Sequence, residues 1–426
     1  MRLSTSLRVA AAAAATALVV TACGGGGGNG GDAGGQQGGG GNGGNGVLEL
    51  GYVLPLTGQL AFLGPPQIKA LEYAIQKINQ AGGVLGKQIP APVKGDEAGK
   101  KAVAVQSANK VLNAGVDALI GAAASGMSLA IIDKVTDSGV VQCSGSNTAP
   151  TFTDYEDGGF YFRTAPSDAL QGPVLANTII GDGHTRVALV ARADDYGKGL
   201  MEATATALKE AGATVTMTQT YDPKTTNFAP LVQQIKGSNP DAAVVISFEE
   251  GTQILQGMIE AGIGPANIGV YGTDGLHNGD LPKLVAPNDP SKLAGMKGTA
   301  PASAENKEFI SGLQEFAPNL TELQFAPQVF DCVMTIALAA EKAGTDNPAE
   351  FSKVMVDITK GGQKCGSFTD CTKLLEQGKN IDYQGASGPL DFIKAGEPGV
   401  ASIEVYKFNE QGKMETVRVE QAKLEN

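Results

Sequence analysis

Four short loops carry side chains that could bind a small charged ligand. Ser125 lies between a buried-strand pattern and a helical pattern, and Ser146 and Thr148 lie in a second, hydroxyl-rich loop. Tyr196 stands at the start of a helical pattern, and Asp274 follows a strand pattern. In open α/β sheets, ligands bind at the carboxyl ends of strands, where helix N-termini offer free N–H groups. Together the loops predict an anion site facing a cation site, a pairing that suits a zwitterion.

Each loop also has a structural explanation. Ser125 could cap the helix that follows it, and the loop with Ser146 and Thr148 could be a polar turn. Polar loops suit small ligands in general, so composition alone does not name the ligand.

Enzyme chemistry is disfavoured by what the sequence lacks. It contains two histidines, His184 and His277, far apart in the chain, which excludes a multi-histidine metal site. Neither a nucleophile-elbow serine nor a dinucleotide-binding glycine motif occurs in the required context. We expect His184 on the surface and His277 at the rim of the ligand site. The prediction is a protein without catalytic activity, metal or cofactor.

Strand and helix patterns alternate twice along the chain. The first series has a strand at Leu48–Leu54, helices at 65–80 and 98–114, and a strand at Val116–Gly121. The second series begins at Arg186 and continues to a strand at Asn267–Tyr271. Such alternation predicts two doubly wound α/β domains with mainly parallel sheets. Beyond Thr299 the patterns are less regular, with a long helix at 326–343 and late strands around 401–408.

The N-terminus predicts export. Met1–Arg8 is basic, Val9–Val20 is apolar, and Cys23 follows two small residues, so residues 1–22 read as a secretory signal. The segment Val20-Thr-Ala-Cys23 resembles a bacterial lipoprotein box, with valine where leucine is usual, which implies that Cys23 is lipidated. Glycine makes up 16 of the 23 residues at 24–46, as expected of a flexible tether. The alternative is an ordinary signal peptide followed by a bystander cysteine. The predicted location is extracytoplasmic, lipid-anchored to the bacterial cell membrane.

Charge and cysteine content narrow the partners and the compartment. The formal net charge is −12, which argues against a nucleic-acid partner because phosphate binding needs clustered Lys and Arg. Four cysteines remain after Cys23, and an even number in an exported protein suggests disulfides, with three possible pairings. The short loop between Cys365 and Cys371 favours that pair, and Cys143 with Cys332 then follows by elimination only.

A set of motifs in a fixed order makes the sequence specific. In order along the chain these are Pro55-Leu-Thr-Gly58, Ile78-Asn79-Gln-Ala-Gly-Gly83, Gly121 with Ser125, Phe162-Arg163-Thr164-Ala-Pro-Ser-Asp168, Gln171-Gly172 and Tyr196-Gly197-Lys-Gly199. The chain from Val47 onward resembles the solute-binding proteins of branched-chain amino-acid ABC importers, the leucine/isoleucine/valine-binding type.

The resemblance implies a fold and its boundaries. Two Rossmann-like lobes would be joined by a three-crossing hinge, with the ligand cleft between them. The N-terminal lobe would comprise residues 47–165 and 300–398, and the C-terminal lobe residues 166–299 and 399–426. The partners would be an ABC permease and its ATPase, and the protein would be a monomer.

The resemblance also implies roles for particular residues. Ser125 and the backbone at Ser146 would bind the ligand carboxylate, and Thr148 would help to hold both charged ends. Tyr196 would close over the ligand, and Asp274 stands where the family often has Glu as the ammonium partner. Two further residues, Leu63 and Phe248, would line the side-chain pocket.

The predicted function is therefore capture of an amino acid, branched-chain or similar, by lobe closure and its delivery to a permease. Two alternatives remain within the binding class. One is another small polar solute, such as an amide or a urea-like or aromatic compound, and the other is ligand sensing for a receptor.

Overall fold

A computed structural model describes residues 44–303 and 306–424 of the chain. The predicted signal (1–22), the lipidation site Cys23 and all but the last three residues of the predicted tether lie outside the described residues. Within the described ranges, no helix has the length and apolar character needed to cross a membrane.

The first lobe is built on a five-stranded, fully parallel sheet in the order β2-β1-β3-β4-β5. Strands β1, β3 and β4 are buried along their whole length, as expected where helices cover both faces of a parallel sheet. The elements are β1 (Leu50–Leu54), α1 (Gly64–Gln80), β2 (Val93–Asp96), α2 (Lys101–Asn113), β3 (Ala118–Gly121), α3 (Ser125–Ser128), α4 (Ile132–Asp137), β4 (Val141–Ser144) and β5 (Tyr161–Arg163).

The second lobe is built on a seven-stranded sheet in the order β15-β14-β10-β9-β8-β6-β7. Its five strands from β10 to β7 are parallel, whereas β14 pairs antiparallel with both β10 and β15. The elements before the chain returns to the first lobe are α5 (Asp168–Gly181), β6 (Arg186–Arg192), α6 (Asp195–Glu210), β7 (Thr214–Tyr221), α7 (Ala229–Gly237), β8 (Ala242–Ile246), α8 (Gly251–Glu260), β9 (Gly269–Gly272), α9 (Leu281–Val285) and β10 (Lys297–Pro301).

The chain then completes the first lobe and returns to the second. Helix α11 packs against α1 in the core of the first lobe, and a small sheet of β11, β12 and β13 lies beyond it. These elements are α10 (Lys307–Phe316), α11 (Ala326–Ala343), α12 (Pro348–Phe351), β11 (Gln363–Cys365), α13 (Phe368–Glu376), β12 (Ile381–Gly385), β13 (Gly388–Pro389), β14 (Val400–Phe408) and β15 (Met414–Lys423).

Two disulfides are present in the first lobe. One joins Cys143 in β4 to Cys332 in α11, with their Cα atoms 5.8 Å apart. The other joins Cys365 to Cys371 across a separation of 6 residues. The bond between Cys143 and Cys332 therefore links α11 to β4, the strand just before the hydroxyl-rich loop.

The architecture is the predicted pair of doubly wound lobes. The chain passes between the two sheets after β5, after β10 and after β13, which makes three crossings. The sequence patterns missed β2, β5, β10 and β15 and the helix α5. The exact lobe boundaries given above stay a prediction.

Candidate functional site

The carboxyl ends of strands from both sheets meet at one small cavity, referred to below as the inner cavity. The first lobe contributes residues after β1, β3 and β4, and the second contributes residues after β6, β8 and β9. The residues that line it are Leu60, Leu63, Ala123, Ala124, Ser125, Ser146, Tyr196, Phe248, Asp274, Gly275 and Phe325. The space that they enclose is about 10 Å³, which is room for about one water molecule.

A buried carboxyl group holds the loop after β3 in place. Glu97 accepts hydrogen bonds from the backbone N–H groups of Ala123 (2.7 Å) and Ala124 (3.3 Å). Burial raises the pKa of Glu97 to about 8, although these two N–H groups oppose the shift. Glu97 therefore fixes the turn that presents Ser125 to the inner cavity.

Ser125 does not cap its helix. The residue at the cap position of α3 is Ala124, and no side chain caps that end. The Ser125 hydroxyl oxygen instead accepts a long hydrogen bond of 3.4 Å from the Ala149 N–H. The geometry thus excludes capping, and Ser125 is one of the residues that line the inner cavity.

The loop after β4 rests on side chains of its own lobe. The Ser144 hydroxyl oxygen accepts hydrogen bonds from the N–H groups of Ser146 (3.2 Å) and Asn147 (3.1 Å). The Asn147 side chain donates to the carbonyl groups of Ala122 and Ala123. The two ligand loops of the first lobe are thus hydrogen-bonded to each other.

A buried ion pair lies under the same loop. Arg163 at the end of β5 pairs with Glu397 on the third crossing, and each side chain is 1% exposed. Arg163 also donates to the carbonyl groups of Asn147 (3.2 Å) and Ala149 (2.8 Å). The loop between β4 and β5 is therefore fastened to the hinge as well as to the sheet.

The second lobe contributes an aromatic and acidic side to the cavity. Asp194 caps α6 by accepting the Gly197 N–H (3.0 Å), which places Tyr196 in the first helical turn. The Tyr196 hydroxyl donates to Asp274 (2.9 Å). The Tyr196 ring stacks on that of Phe248, with centroids 5.2 Å apart, and the Arg192 guanidinium lies 3.5 Å from the Phe248 centroid.

A second carboxylate lies beside Asp274. Asp168, the first residue of α5, is fully buried, and its carboxylate lies close to the Thr148 hydroxyl. Burial, followed by repulsion from Asp274, raises the pKa of Asp168 well above its ordinary value. Burial also raises the pKa of Asp274, which accepts a hydrogen bond from Gln171 (2.8 Å).

Neither carboxylate forms an ion pair with a Lys, Arg or His side chain in the part of the chain that the structure describes. Two buried acids without a cationic partner either stay protonated, as their raised pKa values indicate, or ionise when a ligand supplies the positive charge. The arrangement can therefore accept a cationic group next to Asp168 and Asp274.

Six of the seven predicted site residues line the inner cavity together: Leu63, Ser125, Ser146, Tyr196, Phe248 and Asp274. Thr148 is not among the lining residues. Its hydroxyl is buried and lies close to the carboxylate of Asp168, whose N–H donates to the Thr148 carbonyl (2.7 Å).

His277 is not a rim residue, as the sequence suggested, but is buried behind Asp274. Its ring lies 3.6 Å from Glu404 and 3.9 Å from Glu322. Burial alone would lower the pKa of His277, but these two carboxylates raise it. His277 therefore connects β14 to the loop before α11 rather than facing the ligand.

Sequence reasoning did not single out Asp168 or Phe325 as site residues. Asp168 was noted only within a longer motif, since an acid at the start of a helix is common for reasons of the helix dipole. Phe325 comes from a segment with no periodic signal, and its φ of 63° is unusual for a non-glycine residue. An unusual backbone conformation at the residue before a helix can be recognised only in a structure.

Comparisons with known proteins agree with this geometry. A profile of the family described as periplasmic binding protein matches residues 47–413. The chain belongs to this family, whose members bind solutes and are extracytoplasmic.

Individual relatives and structures place the chain more narrowly. Leu/Ile/Val-binding protein homolog 3 from Brucella melitensis is 25% identical, over 85% of this chain and 92% of that protein. The branched-chain amino-acid transporter substrate-binding protein LivJ from Streptococcus pneumoniae, solved with isoleucine, superposes with a TM-score of 0.71 at 23% identity, over 89% of this chain and all of the other. A solute-binding protein of an R. palustris ABC transporter, solved with benzoate, gives 0.72 at 18% identity, over 89% and 98%. The fold is thus the type I periplasmic binding fold.

Proposed function

We propose that the protein is the substrate-binding component of an ABC importer and captures an α-amino acid between its two lobes. Its relatives include proteins named for binding leucine, isoleucine and valine, and its structural neighbours include one solved with isoleucine. The site residues of this chain support the same class of ligand independently of those names.

The observation that carries the proposal is the buried Asp274 at the inner cavity, with a second buried acid, Asp168, close to it, facing uncharged donors of the first lobe. An ammonium group beside the acids would supply a positive charge to them, and the buried Thr148 hydroxyl close to Asp168 could accept a hydrogen bond from it. The ligand carboxylate would then bind the Ser125 hydroxyl and the backbone at Ser146, away from both acids. Such a site is matched to a zwitterion.

The acid pair also argues against a simple carboxylate as ligand. Benzoate, found in the R. palustris neighbour, carries a negative charge and no ammonium group. In this chain it would offer no positive charge to Asp168 and Asp274, and either acid in its ionised form would repel it. An amino acid is therefore favoured over an aromatic acid.

The mechanism we propose is capture by lobe closure. The inner cavity has room for about one water molecule, so an amino acid enters only when the lobes part. Because the polar groups come from both lobes, the ligand makes its full set of contacts only in a closed form. Its higher affinity for that form shifts the population toward closure, and the closed form would then dock on the permease.

A matched pair of ligands tests the ammonium assignment directly. L-leucine and 4-methyl-2-oxopentanoate share a carboxylate and an isobutyl group, but only leucine has the ammonium group. Calorimetric titration of the purified protein should show leucine binding at least about 30-fold more tightly, since a lost partner for a buried charge costs about 2–5 kcal/mol. Equal affinity for the oxo acid, or for benzoate, would contradict the proposal.

We also propose that Cys23 anchors the mature protein to the cell membrane, with residues 24–46 as the tether. Replacement of Cys23 by serine in the full chain should abolish incorporation of labelled palmitate and release the protein from the membrane fraction. Unchanged labelling would instead favour the ordinary signal peptide.

A further inference from the structure

A second cavity lies directly beside the inner cavity, and we refer to it as the outer cavity. It is lined mainly by apolar side chains, among them Ala61, Phe62, Leu276, Leu281 and Leu284. Its volume is about 180 Å³, against about 10 Å³ for the inner cavity. A cavity of about 150 Å³ with apolar walls is large enough to bind benzene.

The same three chain segments form the walls of both cavities. In the first segment Leu60 and Leu63 line the inner cavity, whereas the two residues between them line the outer one. In the second, Phe248 faces inward and Glu249 faces outward. The third segment, 274–284, borders the inner cavity at its start and the outer cavity over the rest of its length. The two cavities are therefore neighbours across a wall one residue thick.

Gly275 is where this wall is thinnest, because it lines both cavities. A Cβ atom at this position would lie 2.4 Å from the Ser247 carbonyl oxygen and 2.8 Å from the Phe248 ring. The Phe248 ring thus packs directly on the Gly275 backbone, at the boundary that the two cavities share.

We propose that the outer cavity is the subsite for the side chain of an aromatic α-amino acid, with the ammonium and carboxylate groups of the ligand held in the inner cavity. The inference rests on the function proposed above and specifies its substrate class. The inner cavity is lined by the polar groups and is the smaller of the two, and the outer cavity has the volume and the apolar walls for a phenyl ring.

The one acidic residue at the outer cavity does not favour a cationic side chain. Glu249 is exposed to solvent, so its carboxylate is screened and contributes little to the binding of an opposite charge. The buried part of the wall, Leu276 and Leu281, is apolar and favours an uncharged ring.

In the test, a substitution fills the outer cavity, and the association constants of two amino acids are compared. Ala61→Phe in the full-length protein should lower the ratio of the association constants for L-phenylalanine and L-alanine by about tenfold or more, since hydrophobic pockets discriminate by about 10–200-fold for small changes in fit. Leu284→Asp should shift the ratio the same way, and it tests the cavity with a half-exposed residue that is unlinked to folding of the core. Ala266→Phe, exposed near the opposite end of β9, is the matched control and should leave the ratio unchanged.

The outcomes separate this inference from the proposed function. If wild-type protein binds L-alanine or L-leucine but not L-phenylalanine, or if both Ala61→Phe and Leu284→Asp leave the ratio unchanged, the outer cavity is not the side-chain subsite and the amino-acid function stands. Tighter binding of L-lysine than of L-phenylalanine would also overturn the aromatic assignment. If wild-type protein binds no amino acid, the proposed function itself fails.

Discussion

The two sides of the cleft are built from different kinds of group. The first lobe presents hydroxyls and backbone amides, and its charged residues, Glu97, Arg163 and Glu397, lie behind the loops and hold them in place. The second lobe presents a carboxylate, Asp274, and an aromatic stack at the cavity itself. Charged side chains thus support the ligand loops in the first lobe, whereas in the second lobe a charged side chain is the proposed ligand contact. Substitutions of charged residues should therefore affect stability in the first lobe and affinity in the second.

The largest effect is expected on stability, from a substitution in the buried ion pair that supports the loops of the first lobe. Arg163→Met leaves the Glu397 carboxylate buried without its cation, which should lower the free energy of unfolding by about 3–5 kcal/mol. Urea unfolding followed by circular dichroism measures the loss. The control is Lys297→Met in the second lobe, whose partner Asp182 is partly exposed, and the loss there should be smaller. Equal losses would remove the distinction between the lobes.

The next effect is expected on affinity. Asp274→Ala removes the proposed ammonium partner and should weaken amino-acid binding by about 2–5 kcal/mol, as measured by calorimetry. Asp280→Ala, on the exposed turn before α9, is the control and should bind like the wild type. An unchanged affinity for every amino acid that the wild type binds would remove Asp274 from the site.

A third prediction concerns pH and the support of the ligand loop. The pKa of Glu97 is raised by burial from 4.5 to about 8, so the folded protein binds a proton that the unfolded chain has released in this range. Stability should fall as the pH rises from about 5 to about 8, on the order of 2–4 kcal/mol for this group. Glu97→Gln keeps a hydrogen-bond acceptor for the loop and should flatten this part of the profile. Identical thermal-unfolding profiles for both proteins would show that Glu97 does not titrate in this range.

The smallest effect is expected at Ser125. Ser125→Ala removes one donor to the ligand carboxylate while backbone donors remain, so affinity should fall by about 1–3 kcal/mol. Ser128→Ala, in the same helix, is the matched control, because its hydroxyl donates to the Ala122 carbonyl and not to the cavity. Loss of folding in Ser125→Ala, with no separate loss of affinity, would make the serine structural.

The sequence predicted those parts of the molecule that depend on local pattern. Apolar runs such as that of β3 and helical spacing such as that of α1 give the alternation of a doubly wound fold, and the polar loops follow from strand ends. Strands β10 and β15 were missed, because β10 holds small residues and β15 is an edge strand with mostly exposed side chains.

The site was predicted least well where two distant segments meet. That Asp168 lies close to Asp274, and pairs with no cationic side chain of the described residues, is apparent only when α5 and the loop after β9 are placed side by side. The depth of His277 likewise depends on Glu322 and Glu404, which are 45 and 127 residues away in the chain. No local pattern carries these contacts, because burial is set by the packing of distant elements.

The pairing of Glu397 with Arg163 has a consequence for how the lobes can move. It fixes the third crossing to the first lobe up to residue 397, and β14 belongs to the second lobe from Val400 onward. Only Pro398 and Gly399 lie between these two anchored points. Any rotation of the two lobes about this connection must therefore change the backbone angles of these two residues. This short connection restricts how the lobes can open on this side of the molecule.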